Sequence, residues 1–146
     1  EKAWLERCIK NVKDGKVIHW VVEKDGKLVG GLDASRRPLK MDHVVDIGIA
    51  LLKDARGKGI GEQLLKAMID AILKKWTGPI IIQISVFSLN RRALALYKKV
   101  GFVEVARFPL FIDHFGEMCD LHSLYWKDSP LLKKKKLKLG RREATT

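Results

Sequence analysis

Between residues 44 and 76 the chain passes from an apolar strand-like run into a strongly amphipathic helix. The run is Val44 to Leu52, the helix is Glu62 to Trp76, and Arg56-Gly57-Lys58-Gly59-Ile60-Gly61 joins them. A strand, a glycine-rich turn and then a helix set backbone N–H groups and the positive helix end against one point in space, where an anion is stabilised. Arg56 and Lys58 bring cationic charge to the same turn. Gly57, Gly59 and Gly61 let the backbone approach a phosphate where a side chain would stand in the way. The amides from Lys58 through Ile60 to Glu62 are the expected donors.

Two nucleotide templates fail on spacing. A P-loop needs Lys and Ser or Thr after its last glycine, and here Gly61 is followed by Glu62. The dinucleotide fingerprint needs G-x-G-x-x-G at the start of a parallel βαβ unit. Here the glycines run G-x-G-x-G, behind three strands that look antiparallel.

The remaining elements follow from periodicity. Ala3 to Val12 has helical spacing, ended by Asp14-Gly15. Val17 to Glu23 and Lys27 to Asp33 flank an Asp25-Gly26 hairpin tip. Ser35 to Met41 reads as a loop, and His43 to Leu52 as a third strand. Leu64, Leu65, Met68, Ile69, Ile72, Leu73 and Trp76 share one face of the next helix, which Thr77-Gly78-Pro79 stops. Ile80 to Phe87 suits a buried strand, Arg91 to Val100 a short helix closed by Gly101. Val103 to Ile112 and Glu117 to Trp126 flank Asp113-His114-Phe115-Gly116 as a last hairpin. The order α-β-β-β-α-β-α-β-β predicts an α/β (α+β) fold, a mixed and mostly antiparallel sheet flanked by helices.

With 146 residues, one domain over 1–128 and a basic tail over 129–146 are expected. The net charge is +12, and seven basic residues against Glu143 between Lys133 and Thr146 supply +6 of it. Such a tail is a solvated end or a weak contact for nucleic acid or a ribosome. Cys8 and Cys119 form neither a disulfide framework nor a zinc site, which favours a reducing compartment. With no membrane-length apolar run and no signal peptide, a cytoplasmic protein without membrane contact is expected.

The pattern left after the exclusions is R-x-x-G-x-G, carried by Arg56, Gly59 and Gly61. It resembles the acetyl-CoA-binding motif of the GCN5-related N-acetyltransferase (GNAT) family. Downstream, Asn90, Ala93, Tyr97 and Gly101-Phe102 resemble the family's second signature segment, and Asp120 with Leu124 resembles the terminal hairpin of its protein-acetylating branches. The resemblance covers roughly residues 17–126. Members usually begin with a further strand, expected here to be absent or outside this numbering. The place of a frequent Pro before the motif is taken by Lys53, and the acidic residue some members carry before the Asn is missing, with Gln83 and Ser85 nearby.

The resemblance implies acetyl-CoA as co-substrate, no metal, and acetyl transfer to a primary amine by direct attack in a ternary complex. It implies that the strand end at Ile49, Leu51 and Leu52 pairs with pantetheine, and that an amide near Leu51 polarises the thioester carbonyl, a contribution of ~10²-fold or more. Asn90 and Ala93 would line the cofactor, although Asn90 is also a preferred N-cap worth about 1 kcal/mol. Tyr97 would protonate the departing thiolate. Asp46, five residues before Leu51, is the expected base, with His43, His114 and His122 behind it; none of these has metal spacing. The favoured acceptor is a protein or peptide N-terminal amine, with polyamines or aminoglycosides next. A non-catalytic CoA-binding module and a tail-directed nucleic-acid or ribosome-associated protein are the other readings, with the oligomeric state open between monomer and homodimer.

Overall fold

A computed structural model of the chain describes residues 14–139. The helix expected over Ala3 to Val12 lies outside the described residues. The chain divides after Thr77 into two compact units.

The first unit holds β1 (Val17–Lys24), β2 (Lys27–Arg36), β3 (Val44–Leu51) and α1 (Ile60–Lys75). Asp25 and Gly26 have φ of 53° and 76°, so the expected tip is a two-residue turn with both positions left-handed. That turn's twist matches the twist of the strands it joins. β2 is antiparallel to both neighbours. It runs on to Arg36, past the expected loop boundary, because Ser35 and Arg36 pair with Asp46 and Val45 on β3. The connection that follows is a single 3-10 turn, Leu39–Met41.

Strand alternation gives the β1–β3 sheet two different faces. One presents Leu32, Ala34, Val45 and Ile47, all buried, and β2 packs against α1. The helix answers with Leu65, Met68, Ile69 and Ile72, buried as its 3.6-residue period requires. Trp76 closes this core, and its Nε1 donates to the Gly15 carbonyl at 3.2 Å. The opposite face is polar and thinly covered, with Val21 61% exposed.

The second unit holds β4 (Ile81–Phe87), α2 (Arg91–Val100), β5 (Phe102–His114), β6 (Glu117–Trp126) and α3 (Pro130–Lys134). β6 lies between β4 and β5, antiparallel to each. Phe115 and Gly116, at φ 52° and 88°, make the hairpin a two-residue turn, tighter than the expected four-residue loop. The Asp113 carboxylate accepts from the Gly116 amide at 2.8 Å. Ile82, Ile84, Phe102 and Leu124 form the core.

Packing continues past residue 128. Ser129 is fully buried; its hydroxyl donates to the Trp126 carbonyl at 2.6 Å and accepts from the Ile82 amide at 3.0 Å. Leu132 is buried on the short helix that follows. Ser129→Ala strands the Ile82 N–H without its partner, and a buried orphan donor costs roughly 1–3 kcal/mol. The expected result is an unfolding free energy lowered by that amount, seen as a lower chemical-denaturation midpoint with an unchanged slope.

Candidate active site

The turn after β3 is built as the sequence leads one to expect. Leu52 begins a 3-10 turn, Lys53–Ala55, and the chain then passes through Gly57 and Gly59 at φ 78° and 75° into α1. Both angles lie where an L side chain costs roughly 1–2 kcal/mol. Gly59 is the N-cap of α1, and Ile60, Gly61 and Glu62 form its first turn. No side chain caps this end, so the backbone donors there face whatever binds. Gly61 lies inside the helix without a positive φ, so its backbone conformation does not call for a glycine.

Arg56 is exposed, and its Nε donates to the Leu51 carbonyl at 2.9 Å, tying the strand end to the turn. The Leu52 amide donates to the Val29 carbonyl at 2.8 Å, toward β2. Successive N–H groups of a strand point to opposite sides, so the Leu51 N–H points away from β2. That is the direction required of a backbone donor to a carbonyl lying along the outer side of this strand end. Ile49 and Leu51 are half-buried and Leu52 is 60% exposed. Lys58 is fully exposed, and the nearby Lys24 side chain, carrying the same charge, pulls its pKa down. Glu62 pairs with Lys66 at 3.0 Å. Sequence reading puts Lys24 beside the Asp25-Gly26 tip but assigns it no role; the register pairs it with Lys27.

In the second unit Asn90 caps α2, its carboxamide oxygen accepting from the Ala93 amide at 3.2 Å. The carboxamide nitrogen takes no part in that cap. Tyr97 is buried on α2, tilted against Phe102 at 6.3 Å between ring centroids. Burial pushes the Tyr97 hydroxyl above its ordinary value, so it carries its proton at neutral pH. Gly101 ends the helix at φ 110°. On β6, Asp120 accepts from the Leu110 amide at 3.0 Å and from Arg107 Nε at 2.6 Å. The Leu110 N–H, then Arg107, hold its carboxyl below the ordinary value. Around this pair Phe108, Leu110 and Phe111 are exposed, as is Phe115 at the hairpin tip.

The histidines divide. His122 is buried and pairs through Nδ1 with the Glu104 carboxylate. His114 stacks on Phe87 at 5.0 Å, and His43 is exposed. Asp46, the expected base, is engaged: Arg37 grips both its oxygens, at 2.6 and 3.0 Å. Proton uptake there would cost a bidentate, charge-assisted pair. Among the described residues, no group of His, Cys, Asp and Glu is placed to hold a metal ion, and no helix is long and apolar enough to cross a membrane.

The glycine turn between a strand end and a helix, and the capped helix with its buried tyrosine, carry the two segments on which the resemblance to acetyl-CoA-using enzymes rests. The family model described as the acetyltransferase (GNAT) family matches residues 2–102. The chain belongs to that family. It is 35% identical to the L-amino acid N-acetyltransferase AaaT of Escherichia coli over 104 residues, 70% of this chain and 61% of that one. It is 32% identical to an N-alpha-acetyltransferase of Sulfurisphaera tokodaii over 108 residues, 66% of this chain and 63% of that one. The chain thus spans about three fifths of the length of these relatives. YncA of Salmonella typhimurium, solved with its cofactor acetyl-CoA, superposes with a TM-score of 0.75 at 19% identity, over 100% of this chain and 78% of that one. The expected fold class is therefore the one found.

Proposed function

We propose that this protein transfers the acetyl group of acetyl-CoA to a primary amine, most readily an α-amine at the N-terminus of a peptide or protein. The observation that carries this reading is the Leu51-to-Glu62 segment. It aims the Leu51 amide outward and presents an uncapped helix end behind two left-handed glycines, within a chain of the GNAT family. In this reading Gly57 to Glu62 hold the pyrophosphate, with Arg56 and Lys58 adding charge. Ile49, Leu51 and Leu52 lie along the pantetheine, and Asn90 and Ala93 contribute from α2. No covalent enzyme intermediate is required; Cys119 is buried and, like Cys8, lies outside both sequence motifs.

An α-amine suits the chemistry because its pKa near 8 lies far below the ~10.4 of a lysine. The two curated relatives described above are named as an L-amino acid N-acetyltransferase and an N-alpha-acetyltransferase, names that point to α-amines. The exposed apolar hairpin around Leu110 favours a peptide, which has side chains to lay against it. A free L-amino acid is the second reading, favoured by the relative AaaT.

The test is thiol release from acetyl-CoA across a panel of peptides, L-amino acids and polyamines. Release confined to polyamines rejects the α-amine assignment. No thermal stabilisation by saturating acetyl-CoA rejects the whole reading.

Tyr97 is the proposed proton donor to the CoA sulfur. A thiolate of pKa about 8.5 needs only modest help on leaving. Tyr97→Phe is therefore expected to lower kcat about tenfold and to leave the acetyl-CoA dissociation constant within about twofold. Isothermal titration beside steady-state kinetics separates the two.

A further inference from the structure

The polar face of the β1–β3 sheet carries a carboxylate that sequence reading passed over. The register places His19, Asp33 and Gly48 side by side across the three strands, with Val21, Gly31 and Ala50 in the next row toward the Leu51 end. Paired residues share a face, so Asp33 leans over β3 where Gly48 has no side chain. A Cβ at Gly48 would lie 2.6 Å from Asp33 Oδ1. Beyond Gly48, Gly31 and Ala50 rise no higher than a methyl group. The surface is thus low from Asp33 to the strand end, a distance of about 10 Å from Gly48 to Leu51.

We propose that Asp33, rather than Asp46, is the carboxylate that takes the proton from the acceptor amine, directly or through one water. This rests on the acetyl-transfer reading given above. The two aspartates share one face, and their surroundings set them apart. Asp46 is clamped by Arg37, and its ion pair would have to break. Asp33 faces His19 from β1, Asp46 from β3 and the Ser35 hydroxyl from its own strand. Burial is the largest effect and raises its pKa; His19 pulls it back, the Asp46 charge raises it again by less, and the Ser35 hydroxyl lowers it least, leaving it above the ordinary value. A carboxylate with a raised pKa is the better base. His19, exposed on the outer strand directly across from Asp33, gives the proton a way out to water.

The step balances. Asp33 removes one proton from the incoming ammonium, and the freed lone pair of nitrogen forms the N–C bond to the thioester carbon. The C–S bond breaks, and the second proton lost from nitrogen ends on the CoA sulfur. Asp33 returns its proton to water, so each turnover releases one proton.

The experiment compares wild type, Asp33→Asn and Asp33→Glu with acetyl-CoA and the panel's fastest acceptor, between pH 5 and 9. Since Asp33 must be ionised to act, wild-type kcat should fall as pH drops through its raised pKa. Asp33→Asn should lose at least about tenfold in kcat together with that acid limb, while its thermal stabilisation by acetyl-CoA persists. Asp33→Glu should recover part of the rate and restore the limb. A wild type that releases thiol while Asp33→Asn keeps kcat and limb overturns this inference alone; no release from wild type overturns the acetyl-transfer reading with it. Should the asparagine variant not fold, the wild-type protein still decides. Its Asp33 carboxyl carbon, followed by NMR, must titrate at the pH of the acid limb, and titration elsewhere sinks the assignment.

Discussion

Gly59→Val is expected to abolish acetyl-CoA binding, with the dissociation constant rising at least about 100-fold. Two physical causes add. At φ 75° the N-cap of α1 is left-handed, and a β-branched side chain resists that conformation most strongly. Among the described residues, its chain neighbours aside, nothing lies within 4 Å of where its Cβ would stand, so the new side chain would occupy the space the proposed ligand needs. The unliganded protein should lose roughly 1–2 kcal/mol from backbone strain alone, and the melting shift on adding acetyl-CoA should vanish. Gly61→Ala gives a control in which the stability change has the opposite sign. Gly61 is helical, so alanine should stabilise the unliganded protein by up to about 1 kcal/mol while weakening the ligand's hold. Thermal melts of both variants with and without acetyl-CoA read out all four quantities. A Gly61→Ala variant with unweakened binding would mean that the phosphate does not approach that residue.

Phe102→Ala is expected to cost about 3–5 kcal/mol, the range for emptying an aromatic site in a packed core. Phe102 is 2% exposed, begins β5, pairs with Trp126 across the sheet and meets the Tyr97 ring. Removing it takes away the surface that fixes Tyr97. Urea unfolding should show the lost stability. The surviving folded fraction should have lower kcat for the same reason that Tyr97→Phe does, since the hydroxyl is no longer held in one place. A loss below about 1 kcal/mol would show that the site collapses around the gap.

Much of this was legible in the residues. The α1 helix announced itself through seven apolar residues at 3.6 spacing, and it begins at Ile60, two residues before the expected start. The difference is informative, because it puts Ile60 and Gly61, two of the residues proposed to hold the phosphate, inside the first turn of the helix. The Asp25-Gly26 tip and the Arg91–Val100 helix appear as expected. Ser35 and Arg36 were expected in a loop because Arg36-Arg37-Pro38 reads as a break. Pairing across to Asp46 and Val45 carries the strand through, a long-range effect that no local pattern contains.

The candidate site shows the same division. Arg56 to Glu62 is contiguous, and its chemistry follows from spacing. The choice between Asp33 and Asp46 is not local. Asp46 sat at a suggestive distance from Leu51, but its engagement by Arg37 depends on where the loop after β2 places a guanidinium nine residues away. Asp33 could have been found by one signal, a glycine facing it in the neighbouring strand, and that signal exists only once the register is known. The burial of Ser129 was hidden likewise, masked by the lysines that follow it.

The bond from Arg56 to the Leu51 carbonyl spans five residues and has a consequence for the order in which this protein assembles. Loops of about ten residues close in tens of nanoseconds, so the donor cradle needs little more than its own segment to take shape. The row of His19, Asp33 and Gly48 must wait for three strands to find one register, which costs more chain entropy and more time. Hydrogen exchange during refolding should therefore protect the amides of α1 from Gln63 onward before those of β1. A chain caught between those two moments would already be shaped to hold its coenzyme, with the acceptor side still unmade.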